Sequence, residues 1–392
     1  MKKYMDLIIS AILFLILIIF QINFLNQQSK RKKYFKQEFE VAIVENIIKE
    51  RLEKDKVIDN RYNGSQTLKL KILTGRLKGK EFVVINPMSV MHNAKAVKGI
   101  KMIVGITKEN GKDSIWVYNY KRDYVVYILG GLFMMLLIML GKKQGIRSLI
   151  SLIITGSNII FIILPRIFAG QDPIMVSIIT ISITTIISFL LISGYNKKSL
   201  SAILGTVGGS IIAGTLVYIA GKLAGLSGVT MDKGQQLLYV ARDYNIKIKG
   251  LLFVSILIAS HGAIMDVGMS IASSASEIYK HKKTISTLEL FTALMNIGKD
   301  ITGTMANTLI LAFVGSSLNL MMLIYGYNMQ YLQFMNMPII VTEAINGFAG
   351  SIGIISTVPL TALISVILIK KSNINNNLLK KNLLKKIMTL KK

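Results

Sequence analysis

The chain has 392 residues, of which 52% are hydrophobic, and its mean hydropathy is +0.52. Because the apolar residues come in long blocks, an ordinary soluble domain is excluded and an integral membrane protein is predicted. The absence of cysteine excludes disulfides, zinc–thiolate sites and thiol catalysis. The formal charge of +27 comes from lysines and arginines in loops and tails that border apolar stretches, and this placement argues against nucleic acid as a partner.

Eight stretches of about 20 apolar residues are candidate membrane spans. The first follows MKKYMD and lacks a small-x-small cleavage site, so residues 1–29 are expected to be an uncleaved signal-anchor helix. The last contains Glu343 and Pro359, and it fits either one tilted helix or a short helix followed by a span. The expected spans are 7–25, 124–141, 148–168, 174–193, 199–221, 250–272, 301–325 and 340–369.

The short loops differ in their content of lysine and arginine, which favour the cytoplasmic side of a bilayer. The loop at 142–147 holds three basic residues and the loop at 326–339 holds none. Alternating the loops across the membrane predicts a multi-pass plasma-membrane protein with both termini in the cytoplasm. The loop at 222–249 does not follow the rule, because it carries five basic residues and is expected outside.

Residues 30–123 differ in character from the rest of the chain. Alternating runs such as TLKLKIL, KMIVGIT and SIWVYNY are separated by Gly and Asn turns, which is typical of β-strands. LTGRLKGKEFVV predicts a hairpin with Gly75 and Gly79 near its turn. We therefore expect an extracytoplasmic β-barrel or sandwich at 30–123, a seven-helix membrane domain at 124–370 and a basic cytoplasmic tail at 371–392.

Small residues recur every four positions in the fifth span, at Gly205, Gly209 and Ala213. Small side chains on one helix face allow a neighbouring helix to approach closely. This face is therefore expected to pack against another span.

Polar side chains form a stripe on each of the sixth and seventh spans. At about 100° per residue, Asp266 shares one helix face with the hydroxyls of Ser270 and Ser273. Asp300 shares one helix face with the Thr304 hydroxyl and the Asn307 amide, at the same spacing of four and seven residues. We expect the two stripes to face each other across a polar seam. The candidate binding residues are Asp266, Ser270, Ser273, Asp300, Thr304 and Asn307.

Carboxylate, hydroxyl and amide oxygens suit hard cations such as sodium or magnesium, or a proton relay. The alternative is structural, because Ser, Thr and Asn in membrane helices often only bond neighbouring helices, and Asp300 beside Lys299 also fits a helix-start anion. Function is favoured for Asp266, because burying a carboxylate in hydrocarbon costs roughly 2.5 kcal/mol or more. His261 points away from the stripe, which favours a structural role.

Three segments, GAIMDVGMSIASSASEI, NIGKDITGTMANTLILAFVGSSL and GSIGIISTVPLTALI, resemble the YibE/F-like family of bacterial multi-pass membrane proteins. QTLKLKILTGRLKGKEFVV and ITISITTIISFLLISGYNKKSLSAILGT also look like regions of that family. The family is uncharacterised and is sometimes described as a transporter. The resemblance therefore implies a multi-pass membrane fold and carries over no active residues.

Two functions remain open at this stage. The first is a transporter or permease that moves a cation, or a proton-coupled or small polar solute, along the seam. The second is a cell-envelope protein whose β domain binds a partner or wall component. A membrane enzyme is not expected, because no nucleophile–base pair, phosphate-binding glycine loop or His-rich metal motif occurs.

The partners expected from the sequence are the lipid bilayer, a monovalent or divalent cation or a proton, and a second copy or a related membrane subunit. No resident metal or other cofactor is expected.

The predicted topology can be checked by labelling single cysteines in this cysteine-free chain. In intact cells, an impermeant maleimide should label Ser65→Cys, which is expected outside, and should not label Ser372→Cys. The reverse pattern would overturn the assignment of both termini to the cytoplasm.

Overall fold

The computed structural model describes residues 37–90, 92–109, 111–226, 237–238, 246–248 and 250–389, and it describes side chains up to residue 370. The predicted first span and most of the loop at 222–249 lie outside the described residues. The described chain divides into a β unit and a helical unit.

The β unit is one antiparallel five-stranded sheet in the order β3-β2-β1-β4-β5, and β3 also contacts β5. This connectivity is that of the partly open Greek-key barrel known as the OB-fold. The predicted hairpin is confirmed, because β2 pairs with β3 across a turn that contains Gly75 and Gly79, both with positive φ. The strands are β1 Glu38–Lys54, β2 Tyr62–Ile72, β3 Glu81–Met88, β4 Lys101–Glu109 and β5 Lys112–Tyr120.

The barrel interior follows the alternation in the sequence, since Leu68, Leu70 and Ile72 of β2 are buried while their neighbours are partly exposed. Two amides are fully buried as well. The Asn86 Nδ2 atom donates to Gln66 Oε1 at 3.3 Å and to the Ala94 carbonyl at 2.9 Å. These bonds satisfy buried polar groups and attach the segment before β4 to the barrel wall.

A long helix joins the two units, with residues 123–140 in the β unit and the rest in the helical unit, and its backbone leaves helical geometry at Lys142 (φ 46°, ψ −126°). This kink stands where a loop at 142–147 is predicted. A π-helical turn, Ile159–Ile163, continues the helix. The α-helices are α1 Asp123–Asn158, α2 Leu164–Phe168, α3 Pro173–Ser193, α4 Lys197–Leu223, α5 Leu251–His281, α6 Thr287–Ser316, α7 Leu318–Gly326, α8 Tyr331–Met335 and α9 Pro338–Thr389.

Five helical segments of the described chain are long and apolar enough to cross a membrane. A sixth results if α6 and α7, which meet at 61°, form one span. The expected span at 301–325 is therefore bent near Ser317, and the last span belongs to one long helix that includes Pro359. These helices are consistent with a membrane protein, and the count of eight spans stays a prediction.

The predicted small-residue face of α4 packs against α9. A Cβ atom at Gly205 would overlap the Thr361 side chain, and one at Gly209 would overlap the Thr357 side chain. The expected close approach is confirmed at both glycines. Beside this contact, Gly268 of α5 lies against Thr206 of α4, so α4, α5 and α9 form the tightly packed centre of the unit.

An ion pair ties the turn after β2 to β5. The Arg76 guanidinium donates to both Asp113 carboxylate oxygens, at 2.6 and 3.3 Å, and thereby lowers the pKa of Asp113 below its ordinary value. In the unfolded chain Asp113 has its ordinary pKa and binds a proton more tightly than in the folded protein. The ion pair therefore stabilises the fold above the ordinary aspartate pKa. This stabilisation is lost as the pH falls through the lower pKa that Asp113 has in the folded protein.

We predict that residues 37–121 expressed alone fold as a β protein, because the strands enclose their own apolar core. Far-UV circular dichroism should give a β spectrum, and the melting temperature should fall as the pH drops below about 4. The variant Asp113→Asn should show a smaller acid loss. A coil or helical spectrum would contradict the assignment.

Candidate functional site

The α5 stripe lies on the side of the helix opposite its buried face. Ile264, Val267 and Ile271 are buried, whereas the Asp266 side chain is exposed and Ser270 and Ser273 are half-buried. A Cβ atom added at Gly262, one turn before Asp266, would meet nothing within 4 Å. The Asp266 side chain is therefore accessible on the outward side of α5.

The α6 stripe is arranged in the same way. Ser286 caps the helix by accepting a hydrogen bond from the Glu289 amide at 3.1 Å. The buried residues Leu290, Leu294 and Leu309 turn one face toward the core, which leaves the opposite face outward. Three of the candidate residues, Asp300, Thr304 and Asn307, are exposed on that outward face.

The two helices meet through apolar side chains of one cluster, including Val267 and Leu294. Among the described residues, no hydrogen bond joins the α5 stripe to the α6 stripe. The Thr304 hydroxyl donates instead to the Ile301 carbonyl of its own helix at 3.0 Å. Both stripes thus belong to the outward surface of the helix pair, and their role as ion ligands stays a prediction.

The donor set around Asp266 is sparse. In the part of the chain that the structure describes, no group of three His, Asp or Glu side chains converges on one point. One carboxylate with nearby hydroxyls provides few of the six to eight oxygens that calcium takes, or of the octahedral set that magnesium demands. The arrangement suits a proton or a transient cation better than a tightly held divalent ion.

His261 lies on the buried side of α5 and is 5% exposed. Its Nε2 atom is 3.0 Å from the Thr185 hydroxyl, which itself donates to the Ile181 carbonyl at 2.8 Å. Because that hydroxyl proton is committed, Nε2 must be the protonated nitrogen and Nδ1 accepts from the Ser210 hydroxyl at 3.4 Å. The imidazole therefore joins α3, α4 and α5, which agrees with the structural role expected for it.

A second polar pair lies beside the imidazole. The Asn158 Nδ2 atom donates to the Thr184 hydroxyl at 2.8 Å, and Thr184 donates to the Thr180 carbonyl at 2.7 Å. These side chains and His261 line a cavity of about 30 Å³ next to the π-helical turn. The sequence analysis missed this cluster, although the spacing of Thr180, Thr184 and Ser188 on one face of α3 was the available signal.

Two larger spaces lie between the ends of α3, α4 and α5. A groove of about 300 Å³ is lined mainly by apolar residues such as Ile178, Ile211 and Leu257. It shares Tyr218 with a wider crevice of about 810 Å³, whose charged residues include Lys222. The stripe residues do not line either space.

We predict that His261→Ala lowers the free energy of unfolding by about 2–4 kcal/mol, because it leaves a cavity and removes the bonds to two hydroxyls. Thermal unfolding of the purified protein in detergent measures this loss. The control is Thr215→Ala, whose exposed hydroxyl bonds only to its own helix and whose loss should change little. Equal melting temperatures for the two variants would contradict a structural role.

Comparison with protein families matches residues 129–371 to the family described as YibE/F-like protein. The match includes α2 to α8, most of α1 and the apolar part of α9, and it excludes the five strands. Neither the curated proteins nor the solved structures gave a significant match. Because the match spans more than half of the chain and includes both polar stripes, the resemblance seen in the sequence is confirmed, and the chain belongs to the YibE/F-like protein family.

Proposed function

We propose that this protein is a plasma-membrane transporter that moves a cation, or a solute coupled to protons, along the polar face of α5 and α6. The observation that carries the proposal is the Asp266 carboxylate. It is exposed on a helix that is long and apolar enough to span a membrane, and among the described residues it has no hydrogen-bond or ion-pair partner.

A carboxylate at membrane depth needs neutralisation, because hydrocarbon cannot solvate its charge. A fixed lysine or arginine would neutralise Asp266 permanently and would favour a structural role. The nearby positive charge in the sequence, Lys299, sits on α6, and the structure describes no ion pair between the two. A proton or a mobile cation is the remaining counter-charge, and exchange of that counter-charge is what transport requires.

The stripe gives the ion a sequence of oxygen ligands. From Asp266 to Ser273 the helix rises about 10 Å, at roughly 1.5 Å per residue. The predicted topology places this part of α5 in the cytoplasmic half of the membrane, at the same depth as Asp300 and Asn307. Carboxylates and hydroxyls spaced by one helical turn favour stepwise passage of a hard cation or a proton.

We predict that Asp266→Asn lowers ion flux in proteoliposomes at least about tenfold, which corresponds to the loss of one ligand worth about 1.4 kcal/mol. The substitution keeps the shape of the side chain and removes its charge. The control is Glu289→Gln, the same acid-to-amide change at a residue whose carboxylate already pairs with Lys282. If folded Asp266→Asn supports the flux of the parent protein, the carboxylate is dispensable and the proposal fails.

A second candidate function, binding of a cell-wall glycan, has support from the β unit. Phe39, Trp116 and Tyr118 form a cluster of aromatic rings with centroids 5.1–6.0 Å apart. The Trp116 ring lies against Gly105 of β4, where any side chain would overlap it. Phe39 and Tyr118 are about half exposed, so their rings offer an apolar surface on which a sugar ring can stack. Barrels of this connectivity also bind oligosaccharides.

The two candidates differ in which substitution matters. A transporter should lose activity with Asp266→Asn and retain it with Trp116→Ala, whereas a glycan-binding envelope protein should show the reverse. Complementation of a deletion strain by each variant separates them. The proposed transport function is favoured, because an unpaired carboxylate within a membrane span is costly and an exposed aromatic cluster is not.

A further inference from the structure

The outward faces of most long helices have the composition expected for contact with lipid. On α1 the exposed residues include Leu152 and Ile153, and on α3 they include Ile179 and Ile183. On α9, Phe348, Ile355, Leu363 and Ile367 are exposed. These side chains are all apolar, as the hydrocarbon region of a bilayer requires.

The outward face formed by α5 and α6 differs from all of these. Over the four turns between 296 and 308, α6 exposes one Lys, one Asp, two Asn, two Thr and a glycine, and α5 adds a carboxylate at Asp266. The exposed residues of this α6 surface, which we call the α6 polar face, are Asn296, Lys299, Asp300, Gly303, Thr304, Asn307 and Thr308.

Lipid is a poor cover for the α6 polar face, because Thr304 and Asn307 lie within the expected span at 301–325, where hydroxyls and amides need hydrogen-bond partners, and Lys299 and Asp300 lie at the cytoplasmic end of that span. Helix–helix interfaces in membranes are enriched in small residues and in Ser, Thr and Asn, which hydrogen-bond across the contact. Gly303 fits that pattern, since a Cβ atom there would meet nothing within 4 Å. The composition is therefore that of an interface whose second helix is not among the described helices.

We propose that a second copy of this chain covers the α6 polar face, with α6 packed against α6 about a two-fold axis parallel to the membrane normal. Such an axis places identical residues of the two copies at the same depth. Lys299 and Asp300 are adjacent and exposed, and the structure describes no ion pair for either. At equal depth, Lys299 of one copy meets Asp300 of the other, and the same pair forms again on the other side of the axis.

The first predicted span is a poorer cover for the same face. Between residues 7 and 25 it carries no charged side chain, and its polar residues are Ser10, Gln21 and Asn23, near its ends. The charges at its expected cytoplasmic end, Lys2, Lys3 and Asp6, match Lys299 and Asp300 in kind, but residues 7–20 offer one hydroxyl and no amide to Thr304 and Asn307. A second copy of α6 supplies both the complementary charges and the amides and hydroxyls that the face requires.

The pairing would also enclose the path of the proposed function. With α6 of each copy at the axis, the Asp266 side chains border the two edges of the interface instead of facing lipid. The inference depends on the proposed function only for the role of this enclosed space. The interface itself depends on the polarity and charge of the α6 polar face.

The first test uses single cysteines in the cysteine-free chain. Oxidation of native membranes should link Asn307→Cys, which lies near the midline between Lys299 and Asp300 on α6, into a dimer with twice the mass of the chain. The matched control is Ile183→Cys on α3, which is 45% exposed on an apolar face and should stay monomeric. A monomeric Asn307→Cys, equal linking at both positions, or a linked product that contains a different protein would each overturn the proposal.

The second test exchanges the charges. Lys299→Asp and Asp300→Lys, each alone, remove both reciprocal pairs and should lower the association constant about tenfold, as expected for a loss of about 1.4 kcal/mol. The double variant K299D/D300K restores the pairs in reverse and should recover the dimer. Failure of the double variant to recover it would overturn the reciprocal pairing, and sedimentation in detergent measures all three.

These results stand apart from the test of transport. If Asp266→Asn loses flux while Asn307→Cys still forms the dimer, both proposals are supported. If Asp266→Asn keeps its flux while the dimer forms, only the transport function fails. If flux depends on Asp266 and the chain is monomeric, only the interface fails.

Discussion

Hydrocarbon offers no hydrogen-bond partners, and this constraint explains where the polar side chains of the helical unit lie. Several buried hydroxyls donate to a carbonyl of their own helix, as Thr185 does to Ile181 and Thr357 to Gly353. A buried imidazole finds two hydroxyls on neighbouring helices. Asp266 cannot be satisfied in the first way, because an ionised carboxylate has no proton to donate to a carbonyl, and among the described residues no hydroxyl of a neighbouring helix donates to it. Its position on an outward face is therefore the feature that calls for a function or a partner.

The close packing of α4, α5 and α9 supplies the rigid frame for that face. Gly205 and Gly209 bring the backbone of α4 against threonines of α9, and Gly268 brings α5 against Thr206 of α4. Interfaces of this type exclude side chains from the contact, so the helices have little freedom to rotate about their axes. The rotation of α5 is thereby determined, with His261 turned into the unit and Asp266 turned out.

Much of this could be predicted from the sequence, because it depends on local periodicity. Alternation located the strands, apolar blocks located the helices, and the spacing of Gly205 and Gly209 predicted a close contact. The partner of that contact was not predictable, since one sequence does not say which spans are neighbours. The same limit applies to the two stripes, which periodicity places on single faces but cannot orient toward each other or outward. The bend near Ser317 was also missed, because apolar composition continues on both sides of it, and at 142–147 the basic residues predicted a loop where the helix continues with a kink at Lys142.

His261 and Asp266 show how the orientation of a helix separates structural from functional residues. They are five positions apart on α5, which is a rotation of about 140° at roughly 100° per residue. On the buried side, the imidazole bonds to hydroxyls of α3 and α4 and joins three helices. On the outward side, the carboxylate has no such neighbours among the described residues. Since the two residues lie on the same helix, the difference in their hydrogen bonding comes from the side chains that the rest of the fold places beside each of them. The fold satisfies the histidine completely, and it leaves the aspartate to a proton, a cation or the edge of an interface.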